Sequence, residues 1–203
     1  MNYRRHGLTA LHLPVKITDM PPVSCYCRYC GQATETRIPP GDTLPRQCCN
    51  HCGSIHYDNP KLVLGTLPVW EEKVLLCRRA IEPRLGYWTL PAGFMENNET
   101  TAQAALRETD EEAGAQIELL DLYTLISVPH ISQIHGIYRA RLLSPIFVPG
   151  EETLEARLFS EAEIPWDEIA FRTIKLTLQH YFADRQQGNF PFRSLEISGP
   201  PPQ

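Results

Sequence analysis

Apolar and polar positions divide the middle of the chain into strands. Residues 62–70 and 73–79 are dominated by apolar side chains, and the polar pair Glu71-Glu72 between them predicts a short turn joining two strands. Three later runs have the same strand-like composition, at residues 117–128, 134–143 and 154–159. The pattern therefore predicts a strand-rich region that begins near residue 61.

Two segments have helical periodicity instead. Residues 99–113 carry small and apolar side chains at helical spacing, and Gly114 is the expected C-terminal stop. These side chains are Ala102, Ala105, Leu106, Thr109 and Ala113. Residues 166–182 carry a second stripe, to which we assign packing and no functional role. It consists of Ile169, Ile174, Leu178, Tyr181 and Phe182.

Four segments follow from these patterns. Residues 1–24 show no clear period and form an unassigned leader. Residues 25–60 are rich in cysteine, glycine and proline, a turn-forming composition that cannot build a large core. Residues 61–184 hold the predicted strands and helices and form the main domain. Residues 185–203, which end in Gly-Pro-Pro-Pro-Gln, are predicted to be a peripheral C-terminal tail.

Composition and charge restrict the possible partners. The 203 residues include 24 Asp and Glu against 19 Lys and Arg, for a net charge of −5, and 42% are apolar, as in a soluble globular protein. No run approaches the roughly 20 apolar residues of a membrane span or resembles a secretory signal, so we expect a cytoplasmic protein without a membrane partner. The acidic balance argues against nucleic acid as a partner, and a phosphorylated substrate would need a metal ion.

Cysteine spacing predicts a structural zinc site. Two C-x-x-C pairs, Cys27 with Cys30 and Cys49 with Cys52, are separated by 18 residues, and each is followed by a glycine that relieves the tight turn. Four thiolates at this spacing are typical of tetrahedral Zn²⁺.

Three other interpretations of these cysteines fit the sequence less well. A disulfide framework requires a secreted chain, and redox chemistry requires one exposed pair between a strand and a helix. A nucleic-acid-binding ribbon would be basic, whereas three arginines and three acids balance here. Cys25 and Cys48 do not fit the spacing, and we expect them to be reduced bystanders.

The predicted first helix carries three carboxylates close together. Glu108, Glu111 and Glu112 occupy an arc of roughly 100° on an ideal helix, and we place that arc opposite the apolar face. Such carboxylates repel one another, which favours a bound cation. Taken alone, they would be interpreted as a solvated acidic surface.

The surrounding residues change that interpretation. Gly93, Glu99, the pair Arg107-Glu108, the pair Glu111-Glu112 and Gly114 occur at the spacing of the Nudix box, which this segment resembles. Thr109 and Ala115 are weak choices at the two apolar box positions. The resemblance covers residues 25 to about 184 and extends to the cysteine pairs. It is closest to plant plastid-type FAD and ADP-ribose pyrophosphatases.

The resemblance implies an α+β fold, in which an αβα sandwich around a mixed sheet is preceded by a zinc ribbon. Because relatives are often homodimers, it also implies a homodimer. It implies that the Gly93 carbonyl with Glu108, Glu111 and Glu112 binds Mg²⁺ or Mn²⁺, while Glu99 and Arg107 orient the loop and helix. Glu155 matches an acid that relatives sometimes place near the metals, although a surface position is equally expected. No substrate-binding residue is assigned.

The implied reaction is hydrolysis of a nucleoside diphosphate linked to another group, with FAD or ADP-ribose as the expected substrate. Relatives selective for NADH carry a Ser-Gln-Pro-Trp-Pro-Phe-Pro segment after the box. Residues 127–133 here contain one proline and neither Trp nor Phe. A Nudix-fold sensor that binds a nucleotide without cleaving it remains a second class, but such sensors tend to lose the box carboxylates, all of which are present here.

Overall fold

The computed structural model describes residues 26–199 in two compact units, which are divided between Asn59 and Pro60. The N-terminal unit is a small antiparallel sheet of three strands in the order β1-β2-β3. These strands are β1 (Thr34–Arg37), β2 (Arg46–Cys49) and β3 (Ile55–His56). The leader, residues 1–24, lies outside the described residues, as does Cys25.

A mixed eight-stranded sheet forms the centre of the second unit. Its strands are β4 (Lys61–Trp70), β5 (Lys73–Arg79), β6 (Trp88–Thr89), β7 (Ala92–Phe94), β8 (Ile117–Val128), β9 (Gln133–Leu142), β10 (Thr153–Phe159) and β11 (Arg193–Glu196). The main order is β10-β5-β4-β9-β8-β11, with β6 paired to β5 and β7 paired to β4. Two pairs, β4 with β9 and β8 with β11, are parallel. All five longer strands predicted from the pattern are present.

The first helix, α1, spans Thr101–Ala113. It begins two residues later than predicted because Thr100 caps it: the Thr100 hydroxyl accepts from the Gln103 N–H, and the Gln103 side chain accepts from the Thr100 N–H. Gly114 ends the helix at φ 55°, a left-handed conformation that suits glycine.

Burial on α1 differs from the predicted apolar face. Leu106 is 39% exposed, whereas the carboxylate-bearing Glu108 and Glu112 are only 9% and 8% exposed. The prediction that the acidic arc points away from the packed face is therefore wrong for these two residues. Small side chains at Ala104 and Ala105 bring that face close to the sheet, which buries its carboxylates as well.

The second helix, α2, spans Arg172–Gln187 rather than residues 166–182. The preceding residues run alongside β6, where the Trp88 N–H donates to Glu168 O at 2.8 Å and the Ala170 N–H donates to Trp88 O at 2.8 Å. Their backbone hydrogen bonds are thus satisfied by a strand, and the helix starts only after Phe171. The predicted stripe is nevertheless buried, with Leu178 fully so.

The helices lie on opposite faces of the sheet. The stripe of α2 packs with Trp88, Tyr123 and Phe159 in the largest apolar cluster. On the other face, α1 contributes Ala113 to a cluster with Leu75 and Cys77. This arrangement confirms the predicted α+β class with an αβα sandwich and a mixed sheet. Within residues 26–199, neither helix has the length and apolarity that a membrane crossing requires.

The C-terminal segment is part of the sheet, which corrects its assignment as a peripheral tail. The strand β11 pairs in parallel with β8, and Ile197 after it is buried. Arg193 donates to the buried Asp184 carboxylate of α2 at 2.6 Å, and the Tyr123 hydroxyl donates to the same carboxylate at 2.5 Å. These bonds fix the segment to α2 and β8, beyond the predicted domain boundary at residue 184.

A buried histidine predicts how stability depends on pH. His135 is 9% exposed, its ring nitrogens bond to Thr173 Oγ1 and Gln133 Oε1 at 2.9 Å, and burial lowers its pKa to about 4. The folded state favours the neutral ring, so this contribution is complete above the unfolded pKa of about 6.5 and is lost as the pH falls toward 4. The loss corresponds to about 3 kcal/mol at most.

We therefore expect the free energy of unfolding to decrease between pH 6.5 and 4, and to decrease less in His135→Gln than in the wild type. Denaturant unfolding at several pH values measures this. The exposed His130→Gln is the matched control and should follow the wild-type curve. Parallel curves for the wild type and His135→Gln would contradict the assignment.

Candidate active site and cysteine cluster

A cleft of about 810 Å³ opens beside α1. Its walls come from the end of β5 and the following loop, from β7, from α1 and from the segment before β10. Its ionisable side chains are Arg79, Glu82, Glu96, Arg107, Glu108, Glu111, Glu112, Glu151 and Glu152. The cleft is strongly acidic, with seven carboxylates against two guanidinium groups in that lining.

The three helix carboxylates face this cleft in different environments. Burial raises the pKa of Glu112 to about 8, although the Ala92 N–H, which donates to its Oε2 at 3.1 Å, acts in the opposite direction. Burial also raises the pKa of Glu108. The Glu111 side chain is 58% exposed. Two desolvated carboxylates and one solvated carboxylate therefore line the same wall.

Arg107 connects the helix to the preceding loop. Its Nη2 and Nε donate to both oxygens of Glu99 at 2.8 and 3.1 Å, and its Nη1 donates to Glu108 and Glu111 at 2.8 and 2.9 Å. Nη2 also donates to Phe94 O at 3.1 Å. Glu99 in turn accepts from the Glu96 N–H at 2.5 Å. The structure thus brings Glu99 and Arg107 together, with the geometry expected of orienting residues.

Gly93 lies against the carboxylate of Glu108. A Cβ atom at this position would collide with the Glu108 carboxyl group, so only glycine lets the β7 backbone approach it so closely. Pairing of Gly93 with Leu64 of β4 holds that backbone in place.

Each of the three helix carboxylates keeps one oxygen free of hydrogen bonds to the described residues. These atoms are Oε2 of Glu108, Oε1 of Glu111 and Oε1 of Glu112, since the other oxygens accept from Arg107 or from Ala92. Carboxylate oxygens are the ligands that Mg²⁺ and Mn²⁺ prefer. The donor set therefore fits a divalent cation, whose charge would also offset the repulsion among buried carboxylates.

Glu151 and Glu152 also line the cleft, although the sequence pattern predicted no site role for them. Their segment packs on the end of α1, where the Gly150 N–H donates to Glu112 O at 3.2 Å and a Cβ at Gly150 would collide with Glu111 O. The negative charge of Glu152 contributes to the raised pKa of Glu108 and Glu112. The sequence feature that could have indicated a role for Glu151 and Glu152 is their position as an acidic pair just before the strand predicted at residues 154–159.

Glu155 does not lie with these carboxylates. On β10, Ala156 and Leu158 pack on the α1 side of the sheet. Side chains alternate along a strand, which places Glu155 with Arg157 and Phe159 on the α2 side, where Arg157 lies 4.1 Å from the Phe159 ring. This placement corrects the prediction that Glu155 lies near the metal site.

The four predicted zinc cysteines converge in the N-terminal unit. The Sγ atoms of Cys27, Cys30, Cys49 and Cys52 all lie within 4.8 Å of one another. Two of the separations are 3.6 and 3.5 Å, and tetrahedral zinc with Zn–S bonds of about 2.3 Å requires sulfur separations of about 3.8 Å. The thiol groups therefore fit a zinc ion.

Turn geometry supports both cysteine pairs. Gly31 and Gly53 have φ of 72° and 74°, and their N–H groups donate to Cys27 O and Cys49 O. Glycine is the residue that adopts this left-handed conformation without strain. Cys48 is fully buried and lies outside the cluster.

The fold and these two sites together define a class of protein. Its main domain is an αβα sandwich in which a helix with three clustered carboxylates lies beside a strand that contains Gly93, and a ribbon with four clustered cysteines precedes that domain in the sequence. The chain belongs to the Nudix family. Residues 60–179 match the family described as NUDIX domain, and residues 25–58 match the family described as Nudix N-terminal, a zinc ribbon.

Several known proteins are similar to the chain. A NUDIX hydrolase from Nitrosomonas europaea is 54% identical in sequence with a TM-score of 0.83, over 86% of this chain and 99% of that structure. An ADP-ribose pyrophosphatase from Streptococcus suis shares the fold at 21% identity and a TM-score of 0.54, over 68% of this chain and 100% of that structure.

Among curated proteins, the NAD-capped RNA hydrolase NudC of Salmonella heidelberg is 29% identical over 143 residues, which are 69% of this chain and 53% of that protein. The chain thus spans about half the length of the curated relatives it matches.

The cysteine geometry predicts about one tightly bound zinc ion per chain. A module this small has little core, so zinc affinity supplies much of its folding free energy. We expect Cys30→Ser to lose zinc and to melt at a lower temperature, as measured by metal analysis and calorimetry. Cys48→Ala, which removes a buried thiol outside the cluster, should keep its zinc. Unchanged zinc content in Cys30→Ser would reject the site.

Proposed function

We propose that the protein hydrolyses the pyrophosphate bond of a nucleoside diphosphate linked to another moiety, in a reaction that depends on Mg²⁺ or Mn²⁺. The observation that carries this proposal is the set of three box carboxylates, each with a free oxygen, on one wall of a cleft of about 810 Å³. Family membership supports it, as do relatives named as hydrolases.

The roles of the residues follow from their contacts. Glu108, Glu111 and Glu112, with the carbonyl of Gly93, would hold the divalent cation, and Glu152 adds a carboxylate from the neighbouring segment. Bound metal would neutralise the pyrophosphate and make a water molecule more acidic. Arg107 holds two of the helix carboxylates and Glu99 in fixed positions, which limits reorganisation during the reaction.

Arg79 is the cleft cation that remains available to substrate. Its Nε donates to Pro83 O at 2.8 Å and its guanidinium lies 5.1 Å from the Phe171 ring centre, while its Nη atoms have no partner among the described residues. Arg107, the other guanidinium in the cleft lining, is saturated by Glu99, Glu108 and Glu111. We therefore assign a substrate phosphate to the Arg79 Nη atoms.

FAD and ADP-ribose are the substrates we propose first, in keeping with the plant plastid-type resemblance. Val128 to Gln133 fold as the end of β8, a single 3₁₀ turn at Pro129–Ile131 and the start of β9. That turn offers His130 and Ile131 but no aromatic platform for a nicotinamide ring.

A second candidate is an NAD-linked substrate, and the 29% identical NAD-capped RNA hydrolase favours it. Such a substrate could include RNA, which the acidic composition argues against. A non-catalytic nucleotide sensor is a third candidate, and turnover of any dinucleotide with Mg²⁺ would exclude it. We also propose a homodimer in the cytoplasm, to be measured by light scattering and by cell fractionation.

The first test removes charge from the box. We expect Glu112→Gln, Glu111→Gln and Glu152→Gln to lower turnover, the first two by about 10² or more, because each removes a charge that holds metal. The amide at position 112 can still accept from the Ala92 N–H, so the fold should survive, as judged by circular dichroism. Glu155→Gln is the matched control on the other sheet face and should keep wild-type turnover. Normal turnover in both Glu112→Gln and Glu111→Gln would contradict the assignment of the metal site.

The second test ranks substrates at equal Mg²⁺. We expect higher kcat/KM for FAD, cleaved to FMN and AMP, or for ADP-ribose, cleaved to AMP and ribose 5-phosphate, than for NADH. The missing aromatic platform costs NADH a stacking contribution of about 0.5 to 1.5 kcal/mol. A coupled phosphatase assay measures all three. If NADH is the best substrate, the subfamily assignment is wrong while the hydrolase assignment stands.

A further inference from the structure

A second cavity, of about 160 Å³, lies outside the set of residues assigned to hydrolysis. Its lining combines the turn after β8, the start of α2, the loop after β5 and the end of the C-terminal segment. The lining residues with polar side chains are Arg84, His130, His135, Arg172 and Thr173. Val128, Ala170 and Ile197 are buried apolar members of the same lining.

The charge of this cavity is opposite to that of the catalytic cleft. Arg84 and Arg172 are exposed side chains of its lining, His130 adds an exposed ring, and none of the lining residues is an acid. Within residues 26–199 neither arginine forms an ion pair, although Arg172 donates to Gly199 O at 3.3 Å. Two unpaired guanidinium groups beside one cavity, in a chain of net charge −5, favour an anionic ligand.

The cavity and the cleft share a wall. Ile81, Glu82 and Pro83 line the cleft, and the next residue, Arg84, lines the cavity. Phe171 lines the cavity, and the guanidinium carbon of Arg79, a cleft residue, lies 5.1 Å from the centre of the Phe171 ring. The loop that contains residues 81–84 therefore borders both the cleft and the cavity.

We propose that this cavity binds a phosphomonoester group on the nucleoside part of a substrate, so that of two nucleoside diphosphate derivatives that differ only by a phosphate on a ribose hydroxyl, the enzyme prefers the phosphorylated one. This inference rests on the proposed function. The cavity volume equals about five water molecules, enough for a phosphoryl group but not for a whole nucleoside. The first N–H groups of α2, which has no side-chain cap, add donors to those of the two arginines.

Binding without turnover tests the proposal first. Calorimetry in Mg²⁺ should show adenosine 2′,5′-bisphosphate or adenosine 3′,5′-bisphosphate binding about tenfold more tightly than AMP. The double variant Arg84→Ala/Arg172→Ala should bind the bisphosphate no better than AMP, with AMP affinity unchanged. Arg141→Ala, a 65% exposed arginine on β9, is the matched loss of positive charge and should keep the preference. Equal affinity of the wild type for AMP and both bisphosphates, or a preference that survives the double variant, overturns the proposal.

Turnover provides the second readout. NADPH and NADH differ by a 2′-phosphate, and coenzyme A and dephospho-coenzyme A differ by a 3′-phosphate. At least one phosphorylated member should have the higher kcat/KM, and the double variant should remove that advantage while keeping activity on the unphosphorylated member. No advantage in either pair overturns the inference and leaves the hydrolase assignment intact. No turnover of any compound, with the binding preference present, rejects the proposed function and leaves the anion cavity.

Discussion

The guanidinium group of Arg107 is the contact on which the candidate active site depends. It joins Glu99 of the loop, Glu108 and Glu111 of α1, and the Phe94 carbonyl after β7, at 2.8 to 3.1 Å. The loop before α1, the end of β7 and the carboxylates of α1 meet at this one side chain. Because Arg107 uses only one oxygen of Glu108 and one of Glu111, it fixes these two carboxylates while leaving the other oxygen of each free for a cation. A lysine, with a single ammonium group, could not make this pattern.

The packed side of α1 carries both a core residue and two of the box carboxylates. The sequence departs from the family pattern on this side, where Thr109 occupies a position that is usually apolar. Thr109 stands at an apolar box position and is fully buried, yet its hydroxyl donates to Ala105 O at 2.8 Å and bonds to the Thr66 hydroxyl at 2.6 Å. The buried polar group is therefore satisfied, and the substitution costs little. On the same side of the helix, Glu108 and Glu112 are desolvated without compensating charge except Arg107 and Arg79. A divalent cation would supply the additional positive charge that these two carboxylates need.

The sequence predicted the parts of the molecule that are specified locally. Strand runs such as Ile117–Val128 and the spacing of Cys27, Cys30, Cys49 and Cys52 were recognisable because periodicity and ligand geometry are short-range properties. Three features were missed because they are decided by tertiary contacts. The start of α2 is set by pairing with Trp88, β11 is held by Asp184 and Arg193, and Glu152 reaches the cleft because Gly150 packs on the end of α1. None of these contacts leaves a periodic signal in the chain.

The loop between β5 and β6 contributes residues to both the acidic cleft and the basic cavity of the main unit. Arg79 and residues 81–83 line the acidic cleft, where a metal would be needed to offset the carboxylates, and Arg84 lines a cavity that has no acid in its lining. Arg79 donates to Pro83 O, and its guanidinium lies 5.1 Å from the centre of the Phe171 ring. The loop that borders the cavity therefore also positions the cleft cation to which we assign a substrate phosphate.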